Sequence, residues 1–518
     1  MDSGLGSANM KQAELTKLVT FIEENLRASP IAGLQFVDSR QTRSRLVSRQ
    51  NHVVFGRRGA GKTALATSVR EPGVAIDVYL NLEDYKAITF PNIIIKILVE
   101  VFEELKKKLY NKYKLIWLRK RPKRVYVLLN RSIAALTEFL HKPDIETQKI
   151  NTKEDTQSTV GGQLGNTVAN VKSNVDIHVS EEVSTEVTLD KLDYLRLELS
   201  NYKKLLSEIS DLLEGKAIFL ILDDFYFISK EIQPDLVDYF HTLTKGTNLF
   251  IKIATIQHRS KLYRRSGGKH VGVELGADVF AIDMDYTLDK FDELRDFMWN
   301  LLTNAISTSK ANVKLEEIFA GDGFSQLCLA SGGVPRDFLS YFVSLAKENK
   351  PIGKVEVTTA AISALSSKFS SMEKDSGNDS SILEQCLGKL KNYVYVQKRT
   401  NGFVIAKSDL EAHPMAKQAI KELVDLRLIH LLEENTSKAQ SDGRRYEAYI
   451  LDLGLYDNPK PRSFKQIEPG YSDEQFRKDA LRGAPVFELT WFDKDTLQKV
   501  NDDSRPEEAQ LMLGLTYE

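Results

Sequence analysis

Cysteine is nearly absent from this sequence, whose 518 residues include only Cys328 and Cys386. Two cysteines cannot build the disulfide framework of a small secreted domain, and these two fit no metal-ligand spacing. The sequence therefore excludes a disulfide-stabilised fold and a cysteine-based metal site. A reducing, cytoplasmic environment is expected.

Long hydrophobic runs are also lacking. The longest ones, such as residues 217–222, have the length of a strand, whereas a membrane span needs about 20 apolar residues. The first residues, MDSGLGSANM, contain neither the charged segment nor the apolar segment of a secretory signal. We therefore expect no membrane partner.

An excess of either charge is missing too, because 71 Lys and Arg residues are balanced by 72 Asp and Glu residues, for a net charge of −1. The molecule as a whole does not attract nucleic acid, so any basic surface must be local. The remaining composition, 42% hydrophobic and 28% charged, is ordinary for a globular protein. The length predicts two or three domains of roughly 100–200 residues each.

Apolar segments of strand length alternate with helical patterns over the first half of the chain. This alternation is typical of parallel strands joined by crossover helices, and it predicts an α/β fold. The predicted strands are 52–56, 74–82, 217–223, 248–256 and 278–283, and the predicted helices are 11–28, 62–70, 90–109 and 234–244.

A long excursion, about 110–190, interrupts this alternation. It contains a helical pattern near 125–140 and a polar segment, 151–188, in which Val175, Ile177 and Val179 alternate with polar residues. That alternation indicates a half-exposed strand or hairpin. Excursions of this length inside a compact domain are usually functional or disordered.

The second half of the chain changes character. An all-helical pattern is broken at SGGVP, a linker is predicted at 372–379, and then helix, strand, two helices and two strands around a polar loop indicate a winged helix. The expected domains are an N-terminal helix (1–29), an α/β core (30–285), a helical domain (286–371), a winged helix (380–455) and a tail without a clear pattern (456–518).

The segment GRRGAGKT lies between a predicted strand and a predicted helix, as a phosphate-binding P-loop requires. Its glycines let backbone N–H groups turn towards the phosphates of ATP. Lys62 would contact the β- and γ-phosphates, and the Thr63 hydroxyl would ligate Mg²⁺. The predicted ATP-binding residues are Gly56, Arg57, Arg58, Gly59, Ala60, Gly61, Lys62, Thr63 and Ala64.

Acidic residues follow directly after the apolar run AIFLIL. Asp223 would hold Mg²⁺ through water, and Asp224 would orient or deprotonate the attacking water. Because aspartate is one methylene shorter than the glutamate common at the second position, hydrolysis is expected to be slow or conditional. Thr255, at the end of another strand, is a candidate contact to the γ-phosphate or to the attacking water, as are Gln257 and His258 just beyond it.

The sequence GGVPR places Arg336 at the start of a helix of the helical domain 286–371, which we call the lid. There it would reach the phosphates and report whether ATP or ADP is bound. Proline in the first turn of a helix is also routine, so this segment by itself favours an ordinary helix start.

Taken together, GRRGAGKT, FLILDD, the strand end at Thr255 and GGVPR resemble the AAA+ ATPases in order and spacing. The helical region and winged helix resemble the origin-recognition and cell-division-control initiator branch of that family. The resemblance covers about residues 30–455 and implies an α/β P-loop NTPase fold, Mg²⁺-dependent ATP hydrolysis and oligomerisation. It also implies roles for the nucleotide-binding and magnesium-binding pair Lys62 and Thr63, the Walker B pair Asp223 and Asp224, the sensor-one candidate Thr255 and the sensor-two candidate Arg336.

Departures from the family leave alternatives open. Gly333 and Pro335 match the GxP element of the STAND signalling ATPases, and an ATPase subunit of a bacterial genome-defence or mobile-element complex would share the same core. No arginine finger is obvious, although Arg264 or Arg265 would suit a homo-oligomer, with Arg259 a further candidate. The 110–190 excursion is not typical of initiators.

Double-stranded DNA is one candidate partner and another protein is the alternative. Residues 106–124 contain no acid and combine Tyr110, Tyr113 and Trp117 with lysines and arginines, which suits phosphates and bases, although it also suits a solvated helix end. The recognition helix predicted at about 414–427 carries both charges. It contains Lys417, Lys421, Glu422, Asp425 and Arg427, and the predicted wing contains Lys438, Arg444 and Arg445.

Overall fold

Strands and helices occur in the alternating order that the sequence predicts. The computed structural model describes residues 2–26, 36–70, 73, 75–142, 145–150, 185–376, 380–438, 442–457, 459–469 and 474–490. Its strands are β1 (His52–Phe55), β2 (Ile76–Asn81), β3 (Ile145–Ile150), β4 (Thr185–Asp190), β5 (Ile218–Asp223), β6 (Leu249–Thr255), β7 (Tyr263–Ser266), β8 (Lys269–Gly272), β9 (Phe280–Asp283), β10 (Gly402–Ala406), β11 (Ile429–Thr436) and β12 (Tyr446–Leu451).

The helices surround two separate sheets. They are α1 (Asp2–Asn25), α2 (Thr42–Leu46), α3 (Lys62–Ser68), α4 (Asn92–Lys112), α5 (Lys120–Leu140), α6 (Lys191–Leu212), α7 (Gln233–Thr244), α8 (Phe291–Ser309), α9 (Leu315–Ile318), α10 (Gly323–Ala330), α11 (Pro335–Ala346), α12 (Lys354–Ser363), α13 (Leu365–Ser376), α14 (Ser380–Leu390), α15 (Lys407–Ala412), α16 (Pro414–Asp425) and α17 (Glu474–Arg482). None of these helices is long and apolar enough to cross a bilayer.

The central sheet has the order β2-β5-β6-β1-β9, and every neighbouring pair is parallel. Strands β1 and β5 are buried along their whole length, which is why both are continuous apolar runs rather than alternating ones. Because all five strands run the same way, their carboxyl ends meet at one edge. We call this the carboxyl edge and the opposite one the amino edge.

Helices α4, α5 and α6 cover one face of the central sheet. Apolar residues of α4 recur every three or four positions, as at Ile94, Leu98, Val101 and Leu105, and all four are buried in one core with β2, β5 and β6. The helix predicted near 125–140 is confirmed as α5, but α5 belongs to this core rather than to a separate excursion. Helix α6 was not predicted.

The remainder of the excursion begins beyond α5. Strands β3 and β4 pair in antiparallel fashion there, with Ile145 opposite Asp190. The alternating residues Val175, Ile177 and Val179, from which a strand or hairpin was predicted, lie outside the described residues.

Lid and C-terminal helices form a single hydrophobic core. Helix α1 contributes Leu18, Val19 and Ile22 to it, and the C-terminal sheet, with antiparallel order β10-β12-β11, contributes residues such as Tyr449. The linker predicted at 372–379 is helical up to Ser376. Leu365, Phe369 and Met372 follow a helical period, and burying them keeps this segment folded.

Part of the predicted tail also has a place in the fold. The Phe487 N–H donates to the Val404 carbonyl oxygen. The Tyr393 hydroxyl donates to the Val486 carbonyl oxygen. Residues 485–487 therefore cover the outer edge of β10. The predicted fold class, an α/β P-loop NTPase with a parallel AAA+-like sheet and a helical lid, is confirmed.

Candidate nucleotide-binding site

The P-loop, residues 56–63, turns from the end of β1 into the start of α3 at the carboxyl edge. Gly59 and Gly61 have φ angles of 88° and 97°, a region open to glycine and strained for other residues. A Cβ atom at Gly59 would also lie 2.9 Å from Val334 Cγ1. The loop can therefore curl only because glycine occupies this position, and the lid packs directly upon it.

Lys62 is buried at the start of α3. Its Nζ donates to the carbonyl oxygens of Gly56 at 2.8 Å and Arg57 at 3.1 Å, so the ammonium lies inside the loop that the sequence predicts to hold phosphate. Burial lowers the pKa of Lys62, while the carboxylates of Asp224, Asp285 and Asp223 oppose that shift. A phosphate would supply the opposite charge that a buried ammonium requires.

Arg57 anchors the loop. Its backbone N–H donates to Asp285 Oδ1 at 2.9 Å, its Nε lies 3.4 Å from the same oxygen, and its Nη2 donates to the Tyr286 carbonyl oxygen at 3.1 Å. The side chain therefore ties the P-loop to the segment after β9. Asp285 was missed by the sequence analysis, although it follows a strand that ends at the same edge.

Asp223 and Asp224 stand at the carboxyl end of β5, which β6 separates from the P-loop strand β1. Asp223 is buried and accepts hydrogen bonds from the Tyr79 hydroxyl at 2.8 Å and from the Asp224 N–H at 2.9 Å. Asp224 itself has a φ of 52° and turns away from the strand. Burial and the neighbouring Asp223 charge raise the pKa of Asp224 to about 6.

Thr255 ends β6 at the same edge but is fully buried. Its hydroxyl bonds to that of Ser260, and its carbonyl oxygen accepts the Gly56 N–H at 3.2 Å. The neighbours Ile256 and Arg259, rather than Thr255, line the open cleft. The structure therefore brings Thr255 to the P-loop through its backbone.

The lid reaches the P-loop through the SGGVP turn. The Arg336 N–H donates to the Gly59 carbonyl oxygen at 3.4 Å, which places the sensor-two candidate beside the loop. Gly332 and Gly333 both have positive φ, and a Cβ at Gly332 would lie 2.2 Å from the His430 ring. The two glycines thus let the turn pack against β11 of the C-terminal unit.

The end of α16 closes the cleft from the C-terminal side. Arg427 Nη1 donates to the Arg58 carbonyl oxygen at 3.4 Å, and Arg427 Nε lies 3.0 Å from Asp337 Oδ2. His258, after the sensor strand, has its Nδ1 3.0 Å from Asp425 Oδ2. Residues 425–427 therefore contact the P-loop, the lid and the segment that follows β6.

A second set of contacts fixes the same unit to the lid. Asp452 accepts from Lys368 Nζ at 2.8 Å and lies 2.9 Å from His430 Nε2, and all three residues are buried. Burial acts to raise the pKa of Asp452, but Lys368 and the His430 contact outweigh it and lower that pKa to about 2. The carboxylate is therefore charged, and its partners come from both the lid and the C-terminal sheet.

The resulting cleft has a volume of about 240 Å³, below the roughly 300 Å³ at which small-molecule sites usually begin. Its lining residues come from the P-loop, the segment after β5, the segment after β6 and the end of α16. They are Arg58, Tyr226, Phe227, Ile256, Arg259, Asp425, Leu426 and Arg427.

Two buried polar atoms beside this cleft, His258 Nε2 and Arg259 Nε, have no hydrogen-bond partner among the described residues. Buried polar groups are normally satisfied, so these two atoms suit a polar ligand in the cleft.

Magnesium would need oxygen ligands beyond those of the protein. The described residues contain no cluster of three or more His, Cys, Asp or Glu side chains that could hold a metal. A hydroxyl at Thr63, a carboxylate at Asp223, water and phosphate oxygens are the donor set that Mg²⁺ prefers. The residues present therefore fit Mg²⁺ bound together with a nucleotide.

The remaining arginine-finger candidates lie on the hairpin of β7 and β8. Arg264 Nη2 is 2.8 Å from Asp235 Oδ1 on α7, whereas Arg265 is exposed and its Nε donates to the Tyr263 hydroxyl at 3.2 Å. Arg264 is thus held within its own chain, and Arg265 is the more accessible of the two.

Comparison with solved structures gives distant similarities, two of which are described here. The chain is similar to the Walker-type ATPase of Pyrococcus abyssi, with 11% identity, a TM-score of 0.37, and 81% of this chain and 94% of that chain covered. It is also similar to the Orc1 protein of Aeropyrum pernix in complex with DNA, with 12% identity, a TM-score of 0.28, and coverage of 85% and 89%. No protein-family model and no curated protein matches the sequence. By its sheet order and by the loop between β1 and α3, the chain has the fold of a P-loop NTPase.

Proposed function

We propose that this protein is an AAA+-type ATP-binding and hydrolysing switch whose C-terminal unit reads the state of the nucleotide. The observation that carries the proposal is the position of Arg427, which contacts both Arg58 of the P-loop and Asp337 of the lid. Few residues of a separate unit could respond more directly to a change at the phosphates.

In this proposal Lys62 donates to the β- and γ-phosphates once they replace its present carbonyl partners. Bound Mg²⁺, held by Thr63 and through water by Asp223, supplies neutralisation of phosphate charge. Asp224 takes the proton of the attacking water, and a pKa of about 6 leaves its carboxylate ionised yet basic near neutral pH. Arg336, beside Gly59, distinguishes ATP from ADP.

The C-terminal unit is proposed to be a winged helix. Its strands and helices follow the predicted order, with β10, α15, α16, β11 and β12 in sequence. Because the cleft is small, we propose that nucleotide exchange requires the end of α16 to withdraw, which would couple ATP binding to the position of the whole unit.

Assembly on double-stranded DNA is the first proposed output. Lys417 on α16 and Arg445 beside the wing loop are exposed, and both would contact phosphates rather than bases. Assembly would proceed as a homo-oligomer, with Arg265 reaching the nucleotide of a neighbouring copy.

Assembly on a protein partner is the second output, as in a STAND-like signalling ATPase or a bacterial genome-defence ATPase subunit. A specific observation favours it, since much of the predicted DNA-reading surface is already engaged. Lys421 lies 3.4 Å from Glu447, Arg444 lies 3.3 Å from Asp442, and Lys438 donates to the Ala484 carbonyl oxygen.

One experiment tests the switch and separates its outputs. ATP turnover and particle size would be measured with and without double-stranded DNA, at low and moderate salt, for the wild type and for Arg427→Ala. A switch predicts that nucleotide changes particle size in the wild type and that Arg427→Ala weakens this response. DNA-stimulated turnover that falls with salt supports the first output.

If the protein binds no DNA at either salt concentration but its particle size still responds to nucleotide, the DNA output is excluded and assembly on a protein partner is supported. Identical particle sizes with no nucleotide, ADP and ATP, in a protein shown to bind ATP, would contradict the switch itself. Arg462→Ala is the control, because it removes an exposed arginine of the C-terminal region that has no part in the cleft or in the proposed DNA contacts.

A further inference from the structure

The connection between α4 and α5 exposes an apolar surface among cations. We call residues 113–123 the hairpin tip. Within it Leu115, Trp117 and Leu118 are 68%, 56% and 79% exposed. No other stretch of the described residues exposes three large apolar side chains within four positions.

The hairpin tip is held in place rather than loose. Ile116 is fully buried, Pro122 is buried, and the Tyr113 hydroxyl donates to the Leu212 carbonyl oxygen at 2.9 Å. The neighbours of Ile116 are therefore held outwards by the same turn that buries it. A fixed set of exposed apolar side chains points to a partner rather than to incomplete folding.

Charge around the hairpin tip has one sign. Residues 105–137 contain eleven Lys and Arg and no Asp or Glu. The acids that the fold brings near pair with two other arginines of this segment, because Asp211 lies 3.0 Å from Arg121 and Glu208 pairs with Arg124. Lys114, Arg119, Lys120 and Lys123 surround the apolar side chains and are all exposed.

We propose that the hairpin tip docks on an anionic lipid bilayer, with the apolar side chains entering the interface and the cations meeting the headgroups. Leucine offers neither stacking nor hydrogen bonds to nucleic acid, and the two leucines are the most exposed members of the set. Side chains that stand this far out form a wedge rather than a groove, and a bilayer accepts a wedge without a matching pocket.

Tryptophan suits this position, because its amphipathic ring favours the headgroup region. Lys123 Nζ lies 5.8 Å from the centre of the Trp117 ring, so cation and aromatic ring would approach the interface together. The expectation of no membrane partner rested on the lack of a spanning segment, and interfacial docking needs none.

The location of the hairpin tip leaves the nucleotide cleft open. Lys112 Nζ and the Tyr113 hydroxyl both donate to the Leu212 carbonyl oxygen, just before the chain enters β5. The hairpin tip therefore lies at the amino edge of the sheet, opposite the P-loop. Docking would hold the ATPase on the bilayer with its cleft facing away.

Flotation of the full chain with vesicles tests the proposal. Vesicles of phosphatidylcholine plus phosphatidylserine are compared with phosphatidylcholine alone, and binding is expected only to the former. Replacing Leu115, Trp117 and Leu118 together by Ser should weaken binding by at least about tenfold. Replacing Lys114, Lys120 and Lys123 by Gln should cost about fivefold per charge at low salt.

A matched control replaces three exposed apolar residues elsewhere, Leu197, Val355 and Val396, by Ser. This control should bind anionic vesicles as the wild type does, and every variant should retain ATP binding as evidence of folding. Equal losses in the control and the tip variant would overturn the proposal, as would no binding of wild type to anionic vesicles.

Two other outcomes would also overturn it. If the tip variant loses binding to oligonucleotides while the wild type ignores vesicles, the surface is one for nucleic acid. If the tip variant instead changes particle size while the wild type ignores vesicles, the surface joins two copies of the chain.

Discussion

The P-loop half of the nucleotide cleft is held mainly by hydrogen bonds to backbone groups, whereas the C-terminal half is held mainly by contacts between side chains. In the first half, Gly56 and Arg57 carbonyls accept from Lys62, and the Asp224 N–H donates to Asp223. In the second half, Arg427 reaches Asp337 and Asp425 reaches His258. Backbone contacts persist as long as the sheet is folded, but side-chain contacts between units can separate and reform. The first half is therefore suited to binding, and the second to reporting.

The largest expected effect lies in the P-loop half. Asp224→Asn removes the proposed base but keeps the shape of the side chain, so ATP binding should persist while turnover falls about 100- to 10,000-fold. In wild type, kcat/KM should rise with pH until about pH 6 and then level, because Asp224 accepts a proton only when ionised. Steady-state turnover in excess magnesium measures both, and unchanged turnover in the variant would remove Asp224 from the mechanism.

Lys62→Ala should weaken ATP binding by about 100-fold, since it deletes charged hydrogen bonds to phosphate. Titration with a fluorescent ATP analogue gives the affinity. Lys96→Ala is the control, because Lys96 makes only a surface pair with Glu100, at 3.2 Å. Wild-type affinity in Lys62→Ala would mean that this loop does not carry the nucleotide.

The two halves also differ in how far sequence predicts them. GRRGAGKT and FLILDD depend on local backbone geometry, so neighbouring residues reveal them, and the strands around both were predicted to within two residues. Asp425 and Arg427 lie about 200 residues beyond the acidic pair, and only the packing of the lid brings them to the cleft. In sequence they look like ordinary charges on a DNA-reading helix.

Two further features were not predicted from sequence for the same reason, because they depend on which elements pack together. Tyr79 reaches Asp223 because β2 is the neighbour of β5, a pairing that no local pattern specifies. Residues 106–124 look uncompensated in sequence, yet Glu103, Glu208 and Glu214 supply partners from other turns and helices. The sign of the charge at that surface was therefore predicted correctly, but fewer of its lysines and arginines are unpaired than the sequence suggests.

Arg427→Ala should act first on the C-terminal half. Removing one member of a buried ion contact between units costs about 1–3 kcal/mol, and this should appear as weaker docking of the C-terminal unit. Because docking and nucleotide binding are proposed to be coupled, nucleotide affinity should change as well. A double-mutant cycle with Asp337→Ala, read by chemical unfolding, isolates the pair. Additive effects would mean that the Arg427–Asp337 contact does not hold the unit.

Docking through Asp425 should depend on pH. Burial first, and then the Asp285 charge, raise the pKa of Asp425 from 3.8 to about 7, while burial lowers that of His258 to about 3. A raised carboxyl pKa means that the protonated form is favoured on folding. The stabilisation is complete below the ordinary pKa and is lost as pH rises through about 7, by up to about 1.4 kcal/mol per pH unit.

Thermal unfolding between about pH 5 and about pH 8 measures this loss. Asp425→Asn cannot titrate, so its stability should fall less than that of the wild type between about pH 5 and about pH 7, and the two profiles should run parallel above that. Asp442→Asn is the control, since Asp442 is an exposed acid of the same unit. Parallel pH profiles for wild type and Asp425→Asn over the whole range would exclude titration of Asp425 from the docking contact.

The smallest expected effect returns to the P-loop half and tests whether it depends on any side-chain contact. Tyr79→Phe deletes the 2.8 Å hydrogen bond to Asp223 Oδ2 and nothing else, because the ring remains. Asp223 keeps the backbone N–H of Asp224 but loses the partner that orients its second oxygen, so the Mg²⁺ concentration for half-maximal turnover should rise, by less than about tenfold. ATP affinity without magnesium should not change. Tyr85→Phe is the matched control, a buried tyrosine of the segment after β2. An equal magnesium requirement in wild type and Tyr79→Phe would show that backbone groups alone position Asp223, which would sharpen the contrast between the two halves.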